Sequence, residues 1–313
     1  SYEYDGFDRR TKLFYPNPGT AGASSTTDFE QYGLDENANV VSLRRRSGQT
    51  ISLGYDNLDR LVSRNYPVAA DNVAFGYDLL GRRLNANFAD GSHNIGYAWD
   101  NAGRLLSSTA GSRTLSYQYD AAGNRTRITW PDAAFYISTA YDALNRPTTI
   151  KEQGAATLAD YSAYDDLSRR ASITLGNGTA TAYNYDNQGS LAGLAHNLGG
   201  TAQDVAFGYG RNQALEIITH NWTNNAYQWK GATNGTRNYS PNGLNQYTNV
   251  AGATLSHDAS GNTSSDGTWT WGYDADNQLK TANRSGTSVA LAYDAAGRMR
   301  QETYNGGSTQ FLY

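Results

Sequence analysis

The residues of this sequence that could do chemistry are aspartates, which return after an aromatic side chain about every 21 positions. They are Asp56, Asp78, Asp100, Asp120, Asp142, Asp165, Asp186, Asp258, Asp274 and Asp294. Two carboxylates at a defined separation could hydrolyse a glycosidic bond. A catalytic pair is needed only once, however, whereas these aspartates share one local context along the whole chain. The repetition therefore favours a structural role for them, in turns.

The residues around each aspartate indicate which turn this is. An aspartate at the first position of a turn can accept a hydrogen bond from the backbone N–H two residues later. Three residues after it stands a type that tolerates positive φ, as in a type I turn followed by a bulge. This position is filled by Gly81, Gly103, Gly123, Gly189, Gly243, Gly261 and Gly297, and elsewhere by Asp8, Asp59, Asn145 and Asn277. Ala38, Ser168 and Gln213 are exceptions, and we expect distorted turns there.

The segments that flank the turns alternate bulky and small or polar residues with period two, which is typical of strands. Each repeat is therefore a hairpin, and a lone hairpin needs neighbours to be stable. We predict an all-β fold in which the hairpins form one continuous, mostly antiparallel sheet, coiled into a spiral wall, shell or tube. A propeller of four-stranded blades is the competing fold, but blades repeat at about 40–50 residues.

The repeat favours a single region over residues 1–313, with both ends inside repeats, as in a fragment of a longer protein. Two places interrupt it. A loop insertion is predicted at about 14–30, and a longer irregular unit at about 210–240, where aromatic alternation predicts an extra strand after the turn at Asn224 and Asn225.

Composition excludes several classes of function. The net charge is −4 and there is no cysteine, so disulfides and thiolate chemistry are excluded. The run Arg44-Arg45-Arg46 is too short for a nucleic-acid interface and is interpreted as solvated strand residues. No apolar stretch could span a membrane. The histidines (His93, His196, His220 and His257) lack zinc spacing, so neither a metal nor a cofactor is predicted, and the chain is predicted not to be an enzyme.

Two side-chain sets could still bind something. An arginine often follows the turn, at Arg9, Arg60, Arg82, Arg104, Arg146, Arg169 and Arg298. We expect these arginines to form a ladder beside the aspartates, with opposite charges facing each other across neighbouring turns. Exposed aromatic rows could stack on sugar rings, and the densest group is Trp222, Trp229, Trp269 and Trp271.

The pattern Tyr-Asp-x-x-Gly-Arg, as in Tyr77–Arg82 and Tyr293–Arg298, together with Tyr239–Tyr247, resembles the Rhs/YD-repeat family over nearly the whole chain. The resemblance implies hairpins that spiral into a hollow shell, which in bacterial toxins encloses a C-terminal effector. Family members that release a toxin carry a self-cleaving core segment after the repeats. No such segment is present in this sequence, so neither self-cleavage nor toxicity is assigned to any of its residues.

The favoured function is a structural scaffold within a larger secreted or cell-surface bacterial protein. Its partner would be an enclosed protein cargo or neighbouring repeats of the same longer chain. Two alternatives stay open: an adhesion or carbohydrate-binding module that takes a glycan, and a self-assembling extracellular fibre.

Overall fold

A computed structural model describes residues 1–92, 94–132, 135–231 and 234–313. Thirty strands and two short 3₁₀ helices make up its regular structure, and the described residues contain no α-helix. Within each sheet, successive strands along the chain pair antiparallel. The all-β, antiparallel fold predicted from the repeat is confirmed.

The largest sheet contains twenty strands. Its strands are β1 (Tyr2–Tyr4), β2 (Arg10–Pro16), β3 (Ser24–Leu34), β4 (Val40–Arg44), β5 (Thr50–Tyr55), β6 (Leu61–Asn65), β7 (Val73–Tyr77), β8 (Arg83–Phe88), β9 (Ile95–Trp99), β10 (Leu105–Ala110), β11 (Arg113–Tyr119), β12 (Arg125–Thr129), β13 (Tyr136–Tyr141), β14 (Pro147–Glu152), β15 (Ala156–Asp160), β16 (Ser172–Leu175), β17 (Ala180–Tyr185), β18 (Leu191–Asn197), β19 (Val205–Arg211) and β20 (Ile217–Trp222). Four-stranded propeller blades are incompatible with a continuous sheet of this size.

Two smaller sheets follow along the chain. One has three strands, β21 (Tyr239–Pro241), β22 (Tyr247–Val250) and β23 (Ala253–Thr254). The other has seven, namely β24 (Ser256–His257), β25 (Thr263–Ser265), β26 (Thr270–Tyr273), β27 (Leu279–Arg284), β28 (Thr287–Tyr293), β29 (Met299–Tyr304) and β30 (Gly307–Gln310). The 3₁₀ helices are Ala69–Asp71 and Asn225–Tyr227.

The chain divides into two compact units. The first unit comprises Ser1–Ala98, Ser108–Arg113 and Gly235–Tyr313, and the second comprises Trp99–Ser107 and Thr114–Asn234. The core of the first unit includes a cluster of Val73, Phe75 and Ala86, against which Ala295 packs. In the second unit the buried hydrophobic residues include Leu115, Ala159 and Val205.

The two predicted interruptions differ in detail from the structure. The loop expected at about 14–30 is confined to residues 17–23, because β2 extends to Pro16 and β3 begins at Ser24. The prediction of an extra strand after Asn224 and Asn225 was wrong. Asn224 instead caps the second 3₁₀ helix, where its side chain accepts a hydrogen bond from the N–H of Ala226. No strand follows among the described residues up to Tyr239.

Candidate functional site

Each recurrent aspartate lies at the head of a hairpin turn. Asp100 shows the arrangement: its Oδ1 accepts the backbone N–H groups of Ala102 and Arg104, at 2.9 and 2.8 Å. Its Oδ2 accepts Nε of Arg104 at 2.7 Å. The backbone closes the same turn, with the N–H of Gly103 donating to the carbonyl of Asp100 at 3.1 Å. One carboxylate thus holds the bend by three bonds that no neutral apolar side chain could make.

The other recurrent aspartates have the same geometry. All ten accept the backbone N–H four residues later: Asp56, Asp78, Asp100, Asp120, Asp142, Asp165, Asp186, Asp258, Asp274 and Asp294. The residue that donates a side chain to Oδ2 varies. It is an arginine after Asp56 and Asp294 and an asparagine after Asp120. The backbone bonds are therefore the constant part of the motif.

The position three residues after the aspartate has left-handed backbone, and here part of the sequence interpretation was wrong. Ala38 and Ser168 take φ of 68° and 61° within ordinary turns, closed by bonds of 3.2 and 2.9 Å. The turn expected around Gln213 is instead headed by Asn212, and Leu215 takes φ of 64°. Asn245, rather than Gly243, has the positive φ in its repeat. The side-chain cap and the hairpin ladder evidently outweigh the cost of αL for these residues.

The free-energy cost of left-handed backbone at a non-glycine residue can be tested directly. We expect Ala38→Gly to stabilise the chain by about 0.5–1 kcal/mol, because glycine adopts αL without strain. Gly103→Ala, where the added Cβ would meet no atom within 4 Å, should destabilise it by about 1–2 kcal/mol from backbone strain alone. Urea unfolding of both variants measures the two effects. A loss of stability in Ala38→Gly would contradict the strain interpretation.

Neighbouring turns are linked through arginine and tyrosine. Arg60 pairs with Asp56 of its own turn and donates Nη1 to the carbonyl of Asp78, in the next turn, at 3.1 Å. Its guanidinium lies 4.9 Å from the ring centroid of Tyr77, and the hydroxyl of Tyr77 donates back to the carbonyl of Leu61 at 2.9 Å. The same set joins Arg104 to Asp120 and Tyr119.

The expected ladder of opposite charges across turns was therefore wrong. The ion pairs are formed within a turn, between aspartate i and arginine i+4, at 2.6–2.7 Å. Between turns the arginine meets a carbonyl and a tyrosine ring instead. A guanidinium can do both because its plane carries N–H donors at the rim and stacks through its face.

These contacts predict how stability depends on pH. The Arg60 side chain holds the pKa of Asp56 below its usual range, as do the backbone N–H of Arg104 for Asp100 and the Asn124 side chain for Asp120. A carboxyl whose pKa is lower in the folded state stabilises the fold above its unfolded pKa, about 4, and loses that contribution as pH falls through the folded pKa. We expect the urea midpoint to be flat from pH 7 to 5 and to fall below about pH 4. An unchanged midpoint at pH 3 would contradict the role of these bonds.

A second cluster of charges lies within the first unit. Asp276, at the tip of the turn headed by Asp274, accepts Nη2 of Arg45 and Arg64 at 2.9 and 2.6 Å. It also accepts the hydroxyl of Tyr66 at 2.7 Å. Burial and the hydrogen bond to Asp276 hold the pKa of Tyr66 well above its usual value, so this hydroxyl remains a donor. The tip of a C-terminal hairpin is thereby fixed to strands far away in sequence.

This cluster overturns the interpretation of the arginine run as solvated. Arg45 is 18% exposed at its side chain, and its Nε donates to the carbonyl of Ala275 at 3.0 Å. Arg46 forms a bidentate pair with Asp28 and lies 3.9 Å from the ring centroid of Tyr15. Nothing in the local sequence distinguishes these arginines from exposed ones, because their partners come from distant segments.

A cavity of about 320 Å³ adjoins the cluster and is lined by Asp71, Asp274, Asp276, Lys280 and Asp294, among others. Burial raises the pKa of Asp274, as in many catalytic sites. Asp276, however, is neutralised by two arginines, and Asp274 accepts two backbone N–H groups of its own turn. Asp274 is therefore engaged as a turn head and Asp276 as an ion-pair partner.

The tryptophans proposed as glycan contacts are divided between the two compact units. Trp222 and Trp229 lie in the second unit and are 42% and 77% exposed, while Trp269 and Trp271 lie in the first. Trp222 stands in an aromatic row with His220, which stacks on Tyr209 at 5.1 Å and on Phe207 at 5.6 Å. The face of Trp269 is covered by Arg284 at 4.6 Å. Trp222 is thus an exposed ring within an aromatic row, an arrangement that suits stacking on a ligand.

Within the described ranges, no three His, Cys, Asp or Glu side chains are placed to hold a metal ion. His93 lies outside the described residues. None of the helices in the part of the chain that the structure describes is long and apolar enough to cross a membrane.

Fold and turn geometry define this chain as an all-β repeat protein, and comparison with known proteins assigns its family. The Teneurin YD-shell family model matches residues 37–209, more than half of the chain, and the RHS Repeat model matches residues 273–309. The chain belongs to the Teneurin YD-shell family, which confirms the Rhs/YD resemblance. Its role is that of a structural scaffold.

The individual proteins that the chain resembles share low sequence identity with it. The chain is 28% identical over 132 residues to the tRNA3(Ser)-specific nuclease WapA of Bacillus spizizenii, and 29% identical over 132 residues to the tRNA nuclease WapA of Bacillus subtilis strain 168. Each match covers 41% of this chain and 5% of the relative. The crystal structure of TcdB2-TccC3 is similar with a TM-score of 0.50 at 12% identity, over 99% of this chain and 18% of that one. The chain thus corresponds to a small part of each of these proteins.

Proposed function

We propose that this chain is a wall segment of a larger bacterial protein, secreted or displayed on the cell surface, that encloses or displays a cargo such as a toxin domain. The observation that carries the proposal is the linkage of consecutive turns. In several repeats an arginine and a tyrosine of the motif contact the neighbouring repeat, as Arg60 and Tyr77 do. Such links hold consecutive hairpins together, which suits a barrier built from stacked repeats.

In this proposal the recurrent aspartates and glycines are structural determinants and the chain is not catalytic. The recurrent carboxylates accept backbone N–H groups of their own turns, which supports a structural role for them. The curated relatives are nucleases by name, but a name that describes a protein of which 5% is matched identifies no catalytic residue in this chain.

The experiment uses the full reading frame that contains this chain, purified from its bacterial host. Limited trypsin digestion should leave any non-repeat domain encoded in that frame intact. The Asp276→Asn variant, which loosens the wall, should expose this domain and speed its digestion by about tenfold or more, since cleavage follows the open population. Asp166→Ala, an exposed turn-tip change, is the control and should leave the digestion rate unchanged. A non-repeat domain digested equally fast in all forms, or a reading frame with repeats only, would overturn the enclosure.

A second candidate function is glycan binding, for which the exposed aromatic row of Trp222, His220 and Tyr209 is the supporting observation. Aromatic faces are stacking surfaces with low conformational cost. On a glycan array, Trp222→Ala should abolish any binding, whereas Trp269→Ala should not, because Arg284 already covers that ring. Absence of binding to every glycan would remove this candidate. Self-association into fibres stays a prediction that negative-stain microscopy can test.

A further inference from the structure

The last strand of the twenty-stranded sheet has one free edge. β20 pairs with β19 and, among the described residues, with no other strand. All of its residues, Ile217–Trp222, are solvent-exposed, and the side chains of Ile218 and Trp222 belong to residues that are 63% and 42% exposed. β20 lies well inside the sequence, so this free edge does not arise at an end of the chain.

The free edge presents backbone groups without a strand partner. The N–H of Thr223 donates to the carbonyl of Ala206, on β19, at 3.0 Å, and this bond fixes the phase of the ladder. In an antiparallel pair, successive residues direct their N–H and C=O groups alternately toward and away from the neighbouring strand. The N–H and C=O groups of Trp222 and His220 therefore point away from β19. Such a row of unpaired groups is a template for a further strand.

β20 lacks the features that usually keep a free edge from pairing, such as lysine, proline or a bulge in mid-strand. Its sequence, Ile-Ile-Thr-His-Asn-Trp, contains no lysine, no proline and no carboxylate. Isoleucine, threonine and tryptophan also favour extended backbone. The irregularity in its pairing with β19 lies at the end of the strand, between the partners of Gly210 and Arg211. A strand that carries no carboxylate or lysine is therefore the partner that suits this edge.

A second copy of β20 fits this edge. When two copies pair antiparallel about a two-fold axis at His220, the N–H of each His220 donates to the carbonyl of the other. Each Trp222 then lies opposite Ile218 of the other copy, and aromatic and β-branched side chains that face each other stabilise a sheet. His220 already stacks on Tyr209, with 5.1 Å between the ring centroids, so the aromatic row of one copy continues into the other.

We propose that the chain forms a dimer in which two β20 edges pair antiparallel about a two-fold axis at His220. Both copies use the same edge, so the assembly closes at two chains and does not extend into a filament. A contact between two strands of this length buries less than about 1,200 Å², which is typical of weak association. The dimer is independent of any enclosed cargo.

The test is sedimentation velocity of the intact chain between about 1 and 500 μM, where we expect a Kd of about 10–100 μM. The mass should rise from that of one chain to that of two over this range. His220→Lys places like charges directly opposite each other across the axis and should weaken association at least about tenfold. Far-UV circular dichroism verifies that each variant is folded.

His220→Gln is the matched control, because it removes the same ring without adding a charge, and it should leave the Kd within about threefold. Hydrogen exchange tests the contact without any variant, since protection of the β20 amides should increase with protein concentration. A chain that stays monomeric over the whole range, or growth beyond two chains, would overturn the dimer. Equal affinity in His220→Lys and His220→Gln, or β20 protection that does not depend on concentration, would overturn the assigned edge.

Discussion

Replacing Asp276 by alanine is expected to destabilise the first unit by about 3 kcal/mol. The carboxylate is 18% exposed and is the shared acceptor of Arg45, Arg64 and the Tyr66 hydroxyl. Its removal leaves two guanidinium groups and a hydroxyl poorly solvated, and breaking such a cluster on one side costs more than the cluster itself contributes. Urea unfolding followed by tyrosine fluorescence measures the loss.

Hydrogen exchange should locate this effect. Asp276 joins a turn between β26 and β27 to strands more than 200 residues earlier in the chain, so amides of β24–β30 should lose protection before those of β4–β6. Asp276→Asn, which keeps the shape but removes the charge, should lose about half as much stability. In a double-mutant cycle with Arg64→Gln, we expect a coupling of about 1–3 kcal/mol.

The control is Asp166→Ala, since Asp166 is an acid at an exposed turn tip and its loss should change stability by no more than about 0.5 kcal/mol. Equal effects of Asp276→Ala and Asp166→Ala would show that the cluster does not hold the C-terminal hairpins.

Replacing Asp294 by alanine is expected to cost about 3 kcal/mol as well, for a different reason. Asp294 is 4% exposed and accepts the N–H groups of Ala296 and Arg298 and Nε of Arg298. The same turn buries Ala295 against the cluster of Val73 and Phe75. Water cannot readily replace the lost acceptor there, so each orphaned donor costs about 1–3 kcal/mol.

Asp186→Ala is the matched comparison, because Asp186 accepts the same two backbone N–H groups, from Gln188 and Ser190. Gln188 is solvent-exposed, and water can take over those bonds. Denaturation midpoints should therefore fall clearly less in Asp186→Ala than in Asp294→Ala. If both variants lost the same stability, the loss would come from the hydrogen bonds to the aspartate alone, and burial of the turn would not contribute.

The pH dependence contains one opposing contribution. Burial raises the pKa of Asp274, so the folded state binds a proton there more tightly than the unfolded chain does. Its contribution to stability therefore grows as pH falls through the raised folded pKa and levels off below the unfolded pKa. In Asp274→Asn this gain is absent, and the urea midpoint of the variant should decline more steeply between pH 6 and 4 than that of the unchanged chain.

Turn chemistry could be read from the sequence because it is local. An aspartate caps a bend within four residues of itself, and glycine three positions later signals left-handed backbone, as at Gly103. The signal failed where a cap and a paired ladder forced an ordinary residue into αL, as at Leu215. The alternation of bulky and small or polar residues predicted the strands because this signal is local too and depends only on neighbouring residues.

The sequence by itself determined the hairpin, its turn and the repetition of both, because each of these is fixed by side chains a few residues apart. Only the tertiary structure decided which arginines are partly buried against distant partners. Arg45 and Arg46 carry the same sequence signal as exposed arginines, yet Arg45 meets Asp276, 231 positions away. Electrostatic pairing depends on distance in space and on exclusion of water, and no local pattern encodes either across such a separation.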